Sequence, residues 1–426
     1  MKTTKTPFPS TNATSAWAWF TSAARTHRKR AATLLALGAL MLPGALPSAA
    51  RAGDRTVCPT GCAFSSPLAA FRDALGDPAL AQGVITIHIQ DGTYPVNDQF
   101  YVDNPWGGNI HLVGNTDHPE RVVLVFNNIA GTNFNGFFAT DGGRIGLIDG
   151  MTINGSGAQS AHSASGTSWR LQSYGGGITA RYGGKIVVGP HVSVNHFYYS
   201  LMADQGGIIN APSGHVTGTD AGDVNFFARH NGVLHCENCT ADRAVDTTGG
   251  PVLGCNFMAE EGGSLTVNGS VGSNGRVGGL CILTASHAWG HDLHLLGGLP
   301  DDNGQPQGWG LWATENGYAE TYGSHVEGYQ KGVYVNDGAG LDLSNDVIAN
   351  NVLAGVVADG GHVDGSHVTS TNNGGLGYQA FHQGRILVYD SRALSVGNKG
   401  GLAGAEQASD GNMQDDTYTA STVVVE

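Results

Sequence analysis

The sequence predicts an all-β solenoid, a parallel β-helix, and three observations support this fold class. First, a motif of the form apolar–x–Ala–x–x–Gly–Gly recurs, as in "LMADQGG" and "FMAEEGG". Second, the anchor glycines of four successive copies are separated by 23, 25 and 31 residues: Gly184, Gly207, Gly232 and Gly263. A period in this range is typical of solenoids. Third, the copies contain no helical stretch, so each is predicted to be one coil of a β-helix.

The first 52 residues are predicted to be a targeting segment. Basic residues at 25–30 precede the apolar run 31–46, and small residues ending at Ala52 follow it. This order is that of a secretory signal peptide cleaved before Gly53, with an uncleaved membrane anchor as the alternative. We therefore expect an exported chain, secreted or periplasmic, that has no membrane partner after cleavage.

The charge balance restricts the partners. Residues 1–52 hold seven of the 21 Lys and Arg and none of the 35 Asp and Glu, so the remaining chain has 14 basic against 35 acidic residues, a net charge of about −21. Such a surface argues against nucleic acid and anionic lipid, whereas a polysaccharide stays compatible. No phosphate loop, nucleophile elbow or dinucleotide fingerprint occurs, and no cofactor is predicted.

Six cysteines in an exported chain predict disulfide bonds. One pair flanks a Pro-Thr-Gly turn, one forms a C-x-x-C, and one is separated by about one repeat: Cys58 and Cys62, Cys236 and Cys239, Cys255 and Cys281. The sequence leaves their connectivity open. A structural zinc needs four ligands, and only His235 accompanies the C-x-x-C, so no metal site is predicted.

The elements follow in order along the chain. Residues 53–82 are predicted to be an N-terminal cap, because apolar residues between Phe64 and Leu75 have helical spacing. A capping helix covers the open end of a solenoid, where strand edges are otherwise unpaired. Residues 83–396 are predicted to form the solenoid, and residues 397–426 a tail that ends in a closing strand.

The segment "PLAAFRDAL…ITIHIQDGTYPV…IHLVG" resembles the opening of the pectin-lyase-like superfamily, especially pectinesterases. The resemblance covers about 60 residues and implies a right-handed parallel β-helix with an N-terminal capping helix and a complex carbohydrate as ligand. The resemblance does not extend to the catalytic residues of pectinesterases. Tyr94 is followed by Pro95 and Val96 where pectinesterases have x-Glu, and their Gln-Asp-Thr-Leu and Asp-Phe-Ile-Phe-Gly segments have no counterpart. Some phage tailspikes and surface fibres share the same coil rhythm.

Equivalent residues of stacked coils form columns with a spacing of about 4.8 Å. The column two residues before the anchor Ala is predicted to point inward: Phe137, Ile178, Leu201, Phe226, Phe257, Ile282, Leu311, Tyr334, Val356 and Tyr378. The next column is predicted to point outward, yet it is apolar: Phe138, Thr179, Met202, Phe227, Met258, Leu283, Trp312, Val335, Val357 and Gln379. Three explanations stay open. Loops such as 156–175 and 297–308 cover the column, Phe227 and Trp312 stack on sugars, or the column is a homo-oligomer interface.

The two columns after the anchor carry charge. The first is predicted to contain Asp141, Arg181, Asp204, Arg229, Glu260, Ala285, Thr314, Asp337 and Asp359, and the second Tyr182, Gln205, His230, Glu261, Ser286 and Glu315. Six of these residues are predicted to form one catalytic patch, with Tyr182 as a further sugar contact: Arg181, Asp204, Arg229, His230, Glu260 and Glu261. The structural interpretation is that charges of alternating sign stabilise the stack of strands.

Two catalytic interpretations fit the patch. In an inverting hydrolase, Glu260 is the acid and Asp204 activates water two rungs away, at about 9.6 Å. In a lyase, Arg181 or Arg229 neutralises a uronate carboxylate and His230 takes the proton. The sequence thus predicts an exported β-helix protein that binds or cleaves a polysaccharide. The alternative is a non-catalytic surface or fibre protein that assembles through the apolar outward column.

Overall fold

The computed structural model describes residues 53–127, 135–155, 175–245, 254–301, 303–391, 395–401 and 421–426. These residues form a right-handed parallel β-helix solenoid with an N-terminal capping helix, so the predicted fold class is confirmed. The predicted targeting segment, most of the loop 156–175 and most of the tail lie outside the described residues. No helix in the described part of the chain is both long and apolar enough to cross a membrane.

Each coil contributes one strand to each of three sheets, named A, B and C in the order in which the chain visits them. In the described residues, sheets B and C have 11 strands each and sheet A has 14, because additional A strands begin and end the solenoid. The A strands are Arg55–Val57, Ile85–Ile89, Ile110–Val113, Arg144–Asp149, Lys185–Val188, Ile208–Ala211, Val233–Cys236, Ser264–Thr266, His287–His291, Tyr318–Tyr322, Gly340–Ser344, His362–Ser366, Arg385–Tyr389 and Thr422–Val425. The B strands are Gly92–Val96, Val122–Phe126, Met151–Gly155, Val192–Asn195, Thr217–Ala221, Thr240–Ala244, Val271–Gly275, His294–Gly298, His325–Glu327, Val347–Ala349 and Thr369–Thr371. The C strands are Phe100–Val102, Phe137–Ala139, Gly176–Ala180, Tyr199–Asp204, Val224–Arg229, Cys255–Glu260, Gly278–Ile282, Trp309–Ala313, Lys331–Asn336, Ala354–Asp359 and Tyr378–Phe381.

The cap is an α-helix at Pro67–Leu75, and 3₁₀ turns lie at Pro78–Ala81, Pro105–Asn109 and Pro119–Arg121. The Oγ of Ser66 accepts a hydrogen bond from the backbone N of Ala69, which satisfies one donor of the first turn. The helix buries an apolar face, and its Phe71 ring meets that of Phe100 edge to face at 5.2 Å. The cap thereby closes the apolar interior at the first coil.

The inward column of sheet C is fully buried, but two of its predicted members are wrong. The register places Leu280 and Val333 in this column, where Ile282 and Tyr334 were expected. Ile282 and Val335 instead occupy the anchor position, which is Ala in most other coils. Because neither anchor is Ala, an assignment based on small residues misses both of them. The predicted columns are therefore shifted by two residues in the coil of Ile282 and by one residue in the coil of Val335.

The same shift corrects the outer columns. Cys281 and Tyr334 point outward where Leu283 and Val335 were predicted. The first column after the anchor contains Leu283 and Asn336 in place of Ala285 and Asp337. In the coil of strand Phe137–Ala139, Thr140 rather than Asp141 directly follows the anchor Ala139. Thr284 rather than Ser286 belongs to the second column.

Interior side-chain amides hold the bends of the coils. Asn225 accepts a hydrogen bond from Ser200 Oγ at 3.0 Å and donates one to Asn256 at 3.2 Å. Further along, Asn351 donates to Asn373 at 3.0 Å, and Asn373 donates to the next coil in the same way. These buried amides satisfy one another from coil to coil, as buried polar groups must.

Disulfide bonds join the cysteines in the three pairs suggested by their spacing: Cys58–Cys62, Cys236–Cys239 and Cys255–Cys281. The last of these links two neighbouring C strands on their outward side. Gly278, which pairs with Cys255, makes room for it, because a Cβ there would lie 2.6 Å from the Sγ of Cys281. The C-x-x-C cysteines are likewise joined to each other, so neither is a thiolate ligand.

Candidate functional site

The predicted site residues lie where the C strands end and the chain turns towards sheet A. In most coils the second residue after the anchor, such as Tyr182 or His230, has a left-handed backbone, with φ of 46° in both cases. The glycine that closes the turn donates its N–H to the last strand residue, as Gly207 does to Asp204 at 2.9 Å. A Cβ on Gly207 would lie 2.0 Å from the carbonyl oxygen of Ala180 in the preceding coil. This contact explains the second glycine of the repeated motif.

Six predicted residues are brought together as one connected set, here named the charge ladder: Arg181, Asp204, Arg229, His230, Glu260 and Glu261. Arg181 Nε lies 2.9 Å from Asp204 Oδ2, and His230 Nδ1 lies 2.7 Å from Asp204 Oδ1. His230 Nε2 in turn lies 2.5 Å from Glu261 Oε2. Two of the six residues, His230 and Glu261, have the left-handed backbone of the turn.

Arg229 connects the two glutamates. Its Nε donates to Glu261 Oε2 at 2.9 Å and lies 3.6 Å from Glu260 Oε2. The two Oε2 atoms are therefore at most about 6.5 Å apart. This upper limit allows the separation of roughly 5 Å found in retaining glycosidases and only just reaches the range of roughly 6.5–9.5 Å found in inverting ones. The ladder thus offers a close carboxyl pair that the column pattern alone did not indicate.

Asp204 is buried at the centre of the ladder. Only 4% of the residue is exposed, and each carboxylate oxygen has its own charged or polarised partner, Arg181 on one side and His230 on the other. Arg181 also donates from Nη2 to Gln205 at 2.9 Å. A base that activates water needs an oxygen facing solvent. Both oxygens of Asp204 instead face partners within the ladder.

Glu260 lies in a partly apolar environment. About a quarter of its side chain is exposed, and the next rung carries the buried Leu283 in place of a charge. Burial raises the pKa of Glu260, the guanidinium of Arg229 opposes this, and the charge of Glu261 adds to it. A raised pKa is the direction expected of a carboxyl group that donates a proton.

The three predicted sugar contacts differ in exposure. Tyr182 is 51% exposed, with the Arg181 guanidinium 5.4 Å from its ring centroid. Phe227 is only 2% exposed and Trp312 only 8%. Neither of the last two presents a ring face to solvent, so Tyr182 alone can offer one.

The apolar outward column is buried as a second core outside sheet C. It packs with residues nearer the start of the same strands, including Val224, the Cys255–Cys281 bridge and Trp309. Phe227 lies 5.2 Å from the ring of Tyr199, and Trp312 Nε1 donates to Asn336 at 3.0 Å. Because the column is covered within the chain, it does not offer the open apolar face that assembly through it requires.

A further polar cluster on sheet C was missed. Tyr334 donates its hydroxyl to Asp359 Oδ2 at 2.9 Å, and Asp359 Oδ1 lies 2.5 Å from His382 Nδ1. Lys331 Nζ lies 3.9 Å from the centroid of the Tyr334 ring. The shifted register hid this cluster by placing Tyr334 inside. Among the described residues, no three His, Cys, Asp or Glu side chains are arranged to hold a metal ion.

No family model matches the chain, and no curated protein matches it. Several solved structures resemble it. The catalytic domain of Agl-KA has a TM-score of 0.40 and 12% identity, covering 71% of this chain and 62% of that domain. PfbA, a surface adhesin of Streptococcus pneumoniae, has a TM-score of 0.40 and 11% identity, covering 77% and 85%. The A-module of the mannuronan C-5 epimerase AlgE4 of Azotobacter vinelandii has a TM-score of 0.34 and 12% identity, covering 76% and 91%. The chain thus spans less than two thirds of the Agl-KA domain, and its likeness to all three is one of fold.

Proposed function

We propose that the protein hydrolyses a polysaccharide at the charge ladder, with Glu260 as proton donor. The observation that carries this proposal is the pair of glutamates held by one guanidinium. Glu260 is half-buried with a raised pKa, whereas Glu261 accepts a hydrogen bond from Arg229 and contacts His230. Two carboxyl groups close together in different environments are what glycoside hydrolysis requires.

Hydrolysis fits the ladder better than elimination does. A lyase needs a cation to neutralise the carboxylate of a uronate. Both arginines of the ladder are already paired with its own carboxylates, Arg181 with Asp204 and Arg229 with Glu261. The ladder holds three carboxylates against two guanidinium groups, so it favours an uncharged sugar. The substrate class is therefore a neutral polysaccharide.

The close spacing supports Glu261 as the second carboxylate and retention of configuration as the outcome. Glu261 attacks the anomeric carbon while Glu260 gives its proton to the departing glycosidic oxygen. Water then attacks the glycosyl-enzyme, returns a proton to Glu260 and releases Glu261. Tyr182 lies three coils before Glu260, so a bound chain that reaches both runs along the solenoid axis.

The test uses the purified protein with neutral and uronate-containing polysaccharides and measures new reducing ends. Glu260→Gln is expected to lower the rate by about a hundredfold or more. The matched control is Asp141→Asn, an exposed carboxylate at the equivalent turn of an earlier coil. Ultraviolet absorbance of an unsaturated uronate would show elimination instead, and products of inverted configuration would exclude Glu261 as nucleophile.

A second candidate is a non-catalytic surface protein, and one observation favours it. The charged groups of the ladder pair with one another, as charges that only stabilise stacked strands do. In that case no polysaccharide yields reducing ends, and Glu260→Gln changes stability alone.

A further inference from the structure

The outward side of sheet A carries a second surface that the charge ladder does not use. Over its later coils three aromatic residues are exposed: Trp289 by 38%, Tyr322 by 51% and Tyr389 by 46%. The His287 ring stacks against Trp289 at 6.2 Å, and the half-buried Tyr318 lies 6.3 Å from His287 on the next rung. Flat rings on a rigid sheet are suited to stack on the apolar faces of sugars.

A column of carboxylates runs between these rings. Glu320, Asp342 and Asp364 pair in register on three consecutive rungs, directly after Trp289 in the same column. The stacked charges of the ladder alternate in sign, whereas these three share one sign. None of them is in an ion pair within the part of the chain that the structure describes. Like charges directly opposite destabilise a sheet, so the column is arranged to meet a cation from outside.

Basic groups border this column on one side. His287, His362 and Arg385 lie in the neighbouring column of the same face, two residues towards the start of each strand. The His362 ring lies over Gly340, where a Cβ would be 2.4 Å from its Nε2, so it fills the gap between Tyr318 and the next coil. The column on the other flank contains His291, Tyr322, Ser344, Ser366 and Tyr389. A ligand cation is therefore attracted to the carboxylates that lie between the two flanks.

We propose that this surface binds a polysaccharide of amino sugars in their protonated form. It is named the acidic–aromatic face and consists of Trp289, Tyr318, Glu320, Tyr322, Asp342 and Asp364. The rungs repeat about every 4.8 Å, so a chain that lies along the solenoid axis carries its ammonium groups past the column of carboxylates. The rings add stacking and attract the same ammonium groups through their π faces.

The experiment titrates the purified protein with a glucosamine hexamer and with an N-acetylglucosamine hexamer by calorimetry. The glucosamine hexamer is expected to bind roughly tenfold or more tightly than its acetylated counterpart, and added salt is expected to weaken it. The double variant Glu320→Gln, Asp342→Asn is expected to lose this preference, and Tyr322→Ala to weaken binding further. The control Asp117→Asn removes an exposed carboxylate elsewhere and is expected to change nothing.

Two outcomes would overturn the proposal: equal affinity for both hexamers, or unchanged binding in the double variant with an unchanged melting temperature. Spermine that binds as tightly as the hexamer would also overturn it, because the sugar rings would then contribute nothing. Glu260→Gln is expected to leave hexamer binding unchanged. Failure of the hydrolase proposal is thus distinguishable from failure of this one.

Discussion

Asp204 and His230 are joined across one rung of sheet C, with 2.7 Å between Asp204 Oδ1 and His230 Nδ1. The other oxygen of Asp204 lies 2.9 Å from Arg181 Nε in an ion pair, and the residue is 4% exposed. Asp204→Asn leaves Arg181 and His230 without their shared anion. We expect the free energy of unfolding to fall by about 1–3 kcal/mol. Urea denaturation measures this, with the exposed Asp141→Asn as control. An equal loss in both variants would contradict a holding role for Asp204.

The pH dependence of hydrolysis is expected to follow the pKa of Glu260. If Glu260 must be protonated, activity falls as the pH rises through its pKa, which burial raises and the charges of Glu261 and Glu315 raise further. Glu315→Gln removes one of these charges two rungs from Glu261, outside the proposed machinery. It is expected to move the basic limb of kcat/KM to lower pH.

Arg229→Gln is expected to move the same limb in the opposite direction, because the guanidinium lowers the pKa of Glu260. It also releases Glu261, so kcat should fall as well. The measurement is the pH profile of each variant under matched conditions. Shifts of the same sign in both variants would show that another group controls the limb.

Much of the fold could be predicted from the sequence because the repeat encodes contacts directly. Ala180, Ala203 and Ala228 occupy one position in three coils, and each carbonyl excludes a Cβ from the glycine of the next coil. The pattern fails where a larger residue replaces the anchor Ala, as Ile282 and Val335 do. A branched side chain fits the interior equally well, so only the strand register reveals the replacement.

The site could be predicted less completely for a physical reason. Column positions place Arg181, Asp204 and Arg229 on successive rungs, and the structure confirms that adjacency. Column positions do not show where the side chains of the left-handed turn residues lie relative to neighbouring coils. In the structure, the His230 ring lies between the carboxylates of Asp204 and Glu261. Burial of the outward column also depends on side chains near the start of each strand, which lie outside the repeated motif.

Asp346 is expected to make stability depend on pH. It is a fully buried carboxyl at the turn between sheets A and B, and burial raises its pKa from 3.8 to about 6, although Thr321 and the backbone of Ser324 donate to it. Between pH 3.8 and about 6, this carboxyl group is therefore protonated in the native state and ionised in the unfolded chain. Stability should fall as the pH rises through this window, by about 3 kcal/mol in total.

Asp346→Asn removes this titration while retaining one acceptor oxygen. The measurement is urea denaturation of both proteins at a pH near 3.8 and again above 6, with Asp117→Asn as a control for exposed carboxylates. The stability difference between the two pH values should be smaller in Asp346→Asn by the amount attributed to this group. Identical pH dependence in the two proteins would show that Asp346 is ionised in both states.

Two fully buried tyrosines are expected to respond oppositely to loss of their hydroxyl groups. The Tyr329 hydroxyl has no hydrogen-bond partner among the described residues, whereas Tyr378 donates to the carbonyl oxygen of Val368 at 2.9 Å and lies 3.0 Å from Ser395 Oγ. A buried hydroxyl without a partner costs about 1–3 kcal/mol, and a satisfied one contributes about 1 kcal/mol. Tyr329→Phe should therefore maintain or raise the melting temperature, and Tyr378→Phe should lower it. The measurement is thermal unfolding of the two variants side by side. An equal fall in melting temperature in both variants would mean that the Tyr329 hydroxyl is hydrogen-bonded in solution.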